Sequence, residues 1–75
     1  MKLSATSEII FVVEEDPTGG FVANALNHGI TTQAETMDEL REMVREAVDC
    51  YFDDDDPARP QVITIRWTYI ETFAA

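Results

Sequence analysis

Cysteine, basic residues and long apolar runs are all scarce in this chain. Among its 75 residues there is one cysteine, Cys50, so no internal disulfide can form, and this count fits a reducing compartment. No apolar stretch approaches the ~18 residues of a membrane span, and residues 1–6 lack the charged and apolar regions of a signal peptide. We therefore expect a cytoplasmic protein whose mature form is the whole chain.

The charge of the chain is strongly one-sided. Five lysines and arginines stand against fifteen aspartates and glutamates, which gives a formal net charge of −10. This charge repels phosphate backbones and anionic lipid surfaces, so we expect neither nucleic acid nor a membrane as a direct partner. At 45% hydrophobic residues the chain is too apolar for a disordered acidic tail. Its length allows one core, so residues 1–75 are expected to form a single domain.

Four segments have the apolar runs or the alternation that predict β-strands. They are residues 8–15, 21–26, 30–34 and 62–69. The first carries apolar residues on both faces, which is typical of a strand at the centre of a sheet, whereas the third is mostly polar, which suits an edge. Proline and glycines in residues 16–20, and Gly29 in the next turn, supply the connections between the first three strands.

A capping box predicts the start of one amphipathic helix. Thr36 followed by Glu39 fits the pattern in which each side chain accepts the other residue's unpaired backbone N–H. Six apolar residues then recur at helical spacing, and they are Met37, Leu40, Val44, Ala47, Val48 and Tyr51. The aspartates from Asp53 onward oppose the negative end of the helix dipole, and Pro57 disfavours helix before it, so the helix should end near Phe52.

The order strand, strand, strand, helix, strand predicts an α+β fold. A right-handed crossover through the helix places the last strand parallel to the first, so we expect the sheet order 3-2-1-4 with the helix on one face. One helix covers one face only, whereas the first strand also presents Ile10 and Val12 on the other. We therefore predict a homodimer or a larger assembly that covers the second face.

The last strand is expected to lie at an edge of this sheet, where unpaired backbone groups could accept a strand from another chain. The predicted interface between copies comprises Ile10, Val12, Val62, Thr64, Arg66 and Thr68. The alternate side chains of the last strand should then point into the interior, and they are Ile63, Ile65, Trp67 and Tyr69.

Five acids on the outer side of the helix form a predicted ridge. They are Glu39, Glu42, Glu46, Asp49 and Asp53. One interpretation is a solvated face, partly balanced by Arg41 and Arg45 through the pairs Asp38 with Arg41 and Glu42 with Arg45. The other is a partner-binding surface that attracts a cationic protein.

Carboxylates at the end of the first strand raise the question of a metal-dependent nuclease. Glu14, Glu15 and Asp16 stand there, but neighbouring residues point to opposite faces of a strand, and strands two and four contain no further acid. The aspartates in residues 53–56 lack the glycine and the closing glutamate of an EF-hand. We therefore predict no metal site, and a solvated turn at residues 14–16.

Nucleophiles and bases are also isolated in the sequence. His28 stands in a turn without a serine or cysteine beside it, and Cys50 is expected to be a small packed thiol. No glycine-rich phosphate loop or paired cysteines occur. We therefore expect a protein that is not an enzyme, that carries no cofactor, and that acts by binding another protein.

Short motifs recur in a fixed order between residues 12 and 51. They are Asp16, Gly19-Gly20-Phe21-Val22-Ala23, Gly29, Thr36-x-x-Glu39-Leu40 and Glu46-Ala47-x-x-x-Tyr51. This order resembles the HicB-like antitoxin family, whose members carry D-x-x-G-G-[FY]-x-A, a glycine turn, T-x-x-E-[AL] and an amphipathic helix ending E-A-x-x-Y. The resemblance implies a partial ribonuclease-H-like fold, oligomerisation, and neutralisation of a small basic HicA-type RNA-cleaving toxin.

The chain departs from the pattern of that family in two places. Asn27-His28 replaces the usual proline before the glycine turn, and the chain ends at Ala75, where full antitoxins continue into a DNA-binding domain. Operator binding is therefore not expected of these residues. The alternative to a toxin-neutralising module is a stand-alone oligomeric structural or interaction domain that has no toxin partner.

Overall fold

The computed structural model of the protein describes residues 7–75. They form β1 (Glu8–Glu15), β2 (Phe21–Ala25), β3 (Thr31–Ala34), α1 (Met37–Tyr51) and β4 (Val62–Trp67). The predicted α+β order is confirmed. Residues 1–6, for which the sequence predicts no signal peptide, lie outside the described residues.

The strands form one sheet in the predicted order β3-β2-β1-β4. β1 is antiparallel to β2 and parallel to β4, and β2 is antiparallel to β3. The parallel pair follows from the crossover through α1, which returns the chain to the same end of the sheet. The polar β3 therefore lies at one edge and β4 at the other, while the apolar β1 is paired on both sides.

Three predicted strand ends differ by one or two residues from the structure. β2 ends before Leu26, because the following Asn27 adopts a positive φ of 65° that turns the chain. β3 begins after Ile30, whose side chain is instead buried in the core. β4 stops before Tyr69 because its ladder with β1 ends at the pair of Val13 with Trp67.

The core lies between α1 and one face of the sheet. Its buried members are Ile9, Phe11, Val13, Ala23, Ile30, Leu40, Val44, Val48 and Phe52. Phe11, Leu40 and Val44 are the largest fully buried side chains, and burial of each contributes about 1.5–3 kcal/mol relative to exposure. These contacts join the central strand to the helix, so they position every other element.

The helical stripe is confirmed for five of its six predicted residues. Leu40, Val44 and Val48 are buried, and Met37 and Ala47 pack partly against them. The sixth, Tyr51, is 52% exposed, so its predicted place in the core is wrong. The last turn of α1 leaves the Tyr51 ring beside an aromatic cluster, edge-on to Phe52 and His28 at centroid distances of 4.9 and 5.8 Å.

Residues 7–75 bury one face of β1, and the cover of its second face by another copy stays a prediction. Ile9, Phe11 and Val13 face α1 and are buried, whereas Ile10 and Val12 on the opposite face are only half-buried. Among residues 7–75, α1 is the one helix, and it packs on one side of the sheet. Within the described part of the chain, no helix covers the opposite face.

The helix is also displaced from the centre of the sheet. It lies over β3 and β2 and away from β4. Ile63 and Ile65 are consequently half-buried, and the predicted interior positions of Trp67 and Tyr69 are wrong, since these side chains are 39% and 65% exposed. β4 thus contributes little to the core beyond its hydrogen bonds to β1.

Local hydrogen bonds define both ends of α1. At its start the Thr36 hydroxyl accepts the N–H of Glu39 at 3.1 Å, and the Glu39 carboxylate accepts the N–H of Glu35 at 3.2 Å, one residue earlier than in the standard capping box. At its end the Phe52 N–H bonds to the Val48 carbonyl at 3.0 Å. No helix formed by residues 7–75 is long and apolar enough to cross a membrane.

The loop between α1 and β4 is attached to the helix by one arginine. Arg59 donates to the Phe52 carbonyl at 3.0 Å and forms an ion pair with Asp49, and its guanidinium lies 3.9 Å from Asp54. The cation therefore meets the negative end of the helix, where it is electrostatically favourable. This arrangement brings the aspartate-rich loop back toward α1.

Gly20 gives a test of the packing between β2 and β3. Its φ is +82°, and a Cβ there would lie 2.7 Å from the Ala34 carbonyl oxygen. We expect Gly20→Ala to lower the free energy of unfolding by about 1–3 kcal/mol, because the residue must adopt a strained backbone and push the strands apart. Urea denaturation followed by circular dichroism measures the difference.

Gly29 supplies the matched control. Its backbone does not have a positive φ, and no atom lies within 4 Å of an added Cβ. Gly29→Ala should change the free energy of unfolding by less than about 1 kcal/mol in either direction. Equal destabilisation by both variants would contradict the close approach of Gly20 to β3.

Candidate functional site: an acidic groove beside the helix

A groove of about 650 Å³ lies between α1 and the turn that joins β1 to β2. Five carboxylates line it, and they are Asp16, Glu35, Glu39, Glu42 and Glu46. No lysine or arginine is among the lining residues that the structure describes. We refer to this surface as the acidic groove.

Strand pairing explains why acids from separate segments meet here. Phe21, at the start of β2, lies opposite Ala34, at the end of β3. The β1–β2 turn is therefore beside the first turn of α1, which begins two residues after β3 ends. Residues three and four apart on a helix share one side, so Glu39, Glu42 and Glu46 face the same groove.

Asp16 is held in place by the turn that contains it. Its carboxylate accepts the Thr18 hydroxyl at 2.7 Å and the Thr18 N–H at 2.8 Å. Backbone bonds from Gly19 to Asp16 and from Asp16 to Gly20, both 2.9 Å, close the same turn. The bonds from Thr18, the hydroxyl first, lower the pKa of Asp16 below its ordinary value of 3.8, so the negative charge is favoured at the mouth of the groove.

The helical carboxylates differ in how strongly they are engaged. Glu39 accepts the N–H of Glu35, which ties it to the start of α1. The side-chain carboxylates of Glu42 and Glu46 make no hydrogen bond or ion pair with other described residues. The predicted pair of Asp38 with Arg41 is present at 2.8 Å and lies outside the groove, whereas the predicted pair of Glu42 with Arg45 does not form among the described residues. Glu42 and Glu46 are therefore available to a cation from another molecule.

Apolar side chains complete the lining of the groove. Phe21 and the 42% exposed Met43 lie among the carboxylates. The Trp67 ring packs edge-on against Phe21, with 5.5 Å between the ring centroids, and keeps it in position. A lysine or arginine side chain could lay its aliphatic part on Phe21 and Met43 while its charged end meets the carboxylates.

The predicted acidic ridge is divided in the structure. Glu39, Glu42 and Glu46 line the acidic groove, but Asp49 pairs with Arg59 instead, and Asp53 lies in the turn after α1. Helical periodicity could not show this, because Arg59 reaches Asp49 from a loop ten residues later in the chain.

Asp16, which the sequence analysis placed in a turn, and Glu35, to which it gave no role, are also members of the groove. The predicted strand order was the signal that could have found them. Once β2 and β3 pair as a hairpin, the turn before β2 must lie beside the residue after β3. The register of Phe21 with Ala34 then places both acids next to α1.

Two residues considered for chemistry lie away from the acidic groove. His28 is exposed in the β2–β3 turn, edge-on to Phe52 at 5.5 Å between centroids. Cys50 is exposed, so the predicted packed thiol is wrong. At roughly 100° per residue, Cys50 points about 160° away from the buried Val48, which directs it to solvent.

The carboxylates at the end of β1 do not converge. Glu14 and Glu15 are both exposed, and their alternation along the strand directs them to opposite faces of the sheet. Among residues 7–75 no group of three or more histidine, cysteine, aspartate or glutamate side chains is placed to hold a metal ion. The absence of an enzymatic activity stays a prediction.

The fold and its groove define a small, acidic α+β protein with a carboxylate-lined surface. The chain is 46% identical to a UPF0150 protein of Archaeoglobus fulgidus over 54 residues, which are 72% of this chain and 77% of that protein. It is 36% identical to a UPF0150 protein of Thermotoga maritima over 55 residues, which are 73% and 79% of the two chains. The chain therefore belongs to the UPF0150 family. No protein-family model matches it, and no solved structure matches it significantly.

The titration of Asp16 tests the geometry of the groove's mouth. Thr18→Ala removes the hydroxyl donor, so the pKa of Asp16 should rise toward its ordinary value of 3.8, as followed by NMR of the carboxyl carbon. Because the folded-state pKa is depressed, the stabilisation that Asp16 provides is present above its unfolded pKa and is lost as the pH falls through the lowered value.

Thr31→Ala serves as the control for this titration. The Thr31 hydroxyl bonds to the Asn24 amide oxygen at 2.7 Å and does not touch Asp16. Its removal should leave the Asp16 titration unchanged. An Asp16 pKa that stays constant in Thr18→Ala would show that the turn does not hold this carboxylate as described.

Proposed function

We propose that this UPF0150 protein is a HicB-like, antitoxin-type binding module that neutralises a small basic RNA-cleaving protein of the HicA type by masking it. The observation that carries the proposal is the acidic groove, in which five carboxylates surround an apolar lining. The ordered motifs between residues 12 and 51, which resemble the HicB-like family, support the same function.

Binding of the basic partner would begin with long-range electrostatic attraction. The net charge of −10 gives the whole molecule a negative field, and a basic partner is steered toward the side where carboxylates are concentrated. Charge complementarity of this kind raises the association rate more than the affinity. Contacts of the partner's lysine or arginine side chains with Phe21 and Met43 would then slow dissociation.

The protein would mask its partner by competing with RNA for the partner's lysine and arginine side chains. A protein that cleaves RNA needs lysine and arginine side chains to hold the phosphate backbone. If these side chains are paired with Glu42, Glu46 and Asp16, they are no longer available to RNA. Inhibition would therefore require no cofactor, no metal ion and no catalytic residue, and the protein would not touch nucleic acid or a membrane itself. We place this function in the cytoplasm, where the RNA substrate is found.

A second candidate function is a stand-alone oligomeric structural or interaction domain without a toxin partner. The observation that favours it is the exposure of large hydrophobic side chains outside the acidic groove, including Tyr69, Ile70 and Phe73. Such side chains suit contacts between copies of the chain. The absence of a reading frame for a short basic protein beside this one would support the second candidate over the first.

Charge reversal in the groove tests the first candidate. Glu42→Lys with Glu46→Lys should slow the association of the small basic protein encoded by the adjacent reading frame by about tenfold or more at low salt, because the attractive carboxylates become repulsive. The association rate is measured by surface plasmon resonance, and masking by the protection of a fluorescent RNA from cleavage. High salt should reduce the difference, since it screens charges.

Asp54→Lys with Asp55→Lys is the matched control. Each substitution adds two charges, so both double variants change the net charge from −10 to −6. Asp54 and Asp55 are exposed in the loop after α1 and do not line the groove. The control should retain most of the wild-type association rate. Equal slowing by the two double variants would show that net charge acts alone and that the groove is not the docking site.

A further inference from the structure

The helix side of the sheet has room that α1 does not fill. Four strands about 4.8 Å apart extend about 14 Å from the first strand axis to the last, and a helix with its side chains is about 10 Å wide. α1 lies over β3 and β2 and away from β4. Among residues 7–75 it is the one helix, so the part of this face that belongs to β4 carries no helix within the described chain.

The side chains on this part of the face are apolar. The register with β1 places Ile63, Ile65 and Trp67 on the same side as the buried residues of that strand. Ile63 and Ile65 are half-buried, and Trp67 is 39% exposed. Tyr69, which is 65% exposed, continues the alternation and meets Trp67 edge-on with 6.3 Å between the ring centroids. We refer to Ile63, Ile65, Trp67 and Tyr69 as the β4 row.

Ring contacts join the β4 row to the acidic groove. Phe21 lines that groove and packs edge-on against Trp67 at 5.5 Å between centroids. Trp67 in turn packs against Tyr69. A molecule that covers Phe21 in the groove therefore meets the β4 row next. Partly exposed tryptophan and tyrosine side chains are the residue types that most often anchor protein–protein interfaces.

The shape of the β4 row fits a helix. From Ile63 to Tyr69 the row spans six residues of extended chain, or about 20 Å. It lies side by side with α1, which begins at the end of the sheet where β4 ends. A helix of about 13 residues has the same length as the row. Small domains are built from packed layers, and a second helix beside α1 would complete the helical layer over this sheet.

We propose that the β4 row binds one amphipathic helix of the basic partner, packed beside α1 on the same side of the sheet. This inference rests on the proposed function and adds the mode of docking. The apolar stripe of the partner's helix covers Ile65, Trp67 and Tyr69. Lysine or arginine side chains at one end of that helix reach past Phe21 into the acidic groove.

Charge favours a cationic helix over the other possible occupants. The chain carries −10, so an acidic helix or a second copy is repelled, whereas a basic helix is attracted. Carboxylates lie at the Trp67 end of the row. Asp16 lines the same groove as Phe21, and Glu71 accepts the Tyr69 hydroxyl at 3.1 Å. A cation placed there meets both carboxylates and the aromatic rings.

Dissociation kinetics test the role of the β4 row. Trp67→Ala with Tyr69→Ala should raise the dissociation rate of the small basic protein encoded by the adjacent reading frame by about tenfold or more, because two apolar anchors are lost. The association rate should change by less than about threefold, since the net charge is unchanged. Surface plasmon resonance at low salt measures both rates. Charge reversal of Glu42 and Glu46 acts on the association rate instead, so the two surfaces are distinguished.

Leu26→Ala with Tyr51→Ala is the matched control. These side chains are 39% and 52% exposed and lie outside the β4 row, so the control should keep the wild-type dissociation rate. Equal acceleration by the two double variants would overturn the proposal. Trp67 also supports Phe21, so Tyr69→Ala alone, which leaves that contact in place, should still raise the dissociation rate by about threefold. Circular dichroism should show an unchanged fold for each variant.

The one tryptophan of the chain gives a direct measure of occupancy. With 5-fluorotryptophan at position 67, a single fluorine signal reports on the β4 row. Its chemical shift should differ between H2O and D2O in the isolated protein, because the side chain is exposed. Saturation with the basic protein should remove most of this difference. A solvent isotope shift that persists in the complex would show that the row stays in contact with water and would overturn the proposal.

Cross-linking tests whether the occupant is a helix. A photoreactive p-benzoylphenylalanine is placed at position 63 in one variant and at position 69 in another, and the linked residues of the basic protein are found by mass spectrometry. They should be about 13 residues apart, as the rise of a helix requires. A separation of about six residues would indicate an extended strand and overturn the helix. Cross-links to a second copy or within the same chain would also overturn it.

The outcomes separate this proposal from the proposed function. A wild-type chain that neither binds nor masks the basic protein would overturn the proposed function, and the docking mode with it. A wild-type chain that masks the basic protein, together with an unchanged dissociation rate in the Trp67→Ala, Tyr69→Ala variant, would overturn the docking mode alone.

Discussion

The burial of β1 between two strands and one helix is the constraint on which the rest of the structure depends. Its backbone is hydrogen-bonded on both sides, and Phe11 at its centre belongs to the same buried cluster as Leu40 and Val44. The one helix of the described part of the chain protects one face of β1, and it lies over β2 and β3 and away from β4. The second face of β1, the partly covered β4 and the exposed aromatic residues beyond it are consequences of the same arrangement.

The molecule separates two kinds of surface that rely on different forces. The acidic groove acts through charge, which extends over a Debye length of about 10 Å and weakens as salt is added. The β4 row offers apolar area, which acts at contact distance and responds little to salt.

The residues of the β1–β2 turn also shape the acidic groove. Gly20 is required because its backbone passes close to the Ala34 carbonyl, and that close approach brings the β1–β2 turn against the start of α1. Asp16 closes the same turn through Thr18 and at the same time contributes a carboxylate to the groove. The residues that permit the hairpin therefore also build one wall of the candidate site.

Periodicity, turn residues and the capping pair Thr36 and Glu39 were sufficient to predict each element and the strand order, since all of these are local patterns or follow from the crossover rule. They also identified three of the five groove acids, because Glu39, Glu42 and Glu46 share one side of a single helix. Contacts between distant segments were decided only by the tertiary structure. The position of α1 away from β4 leaves Trp67 and Tyr69 exposed. Asp49 forms an ion pair with Arg59, and Asp16 and Glu35 line the acidic groove. Each depends on how side chains from separate elements fill the space between them, and a pattern along one segment does not contain that information.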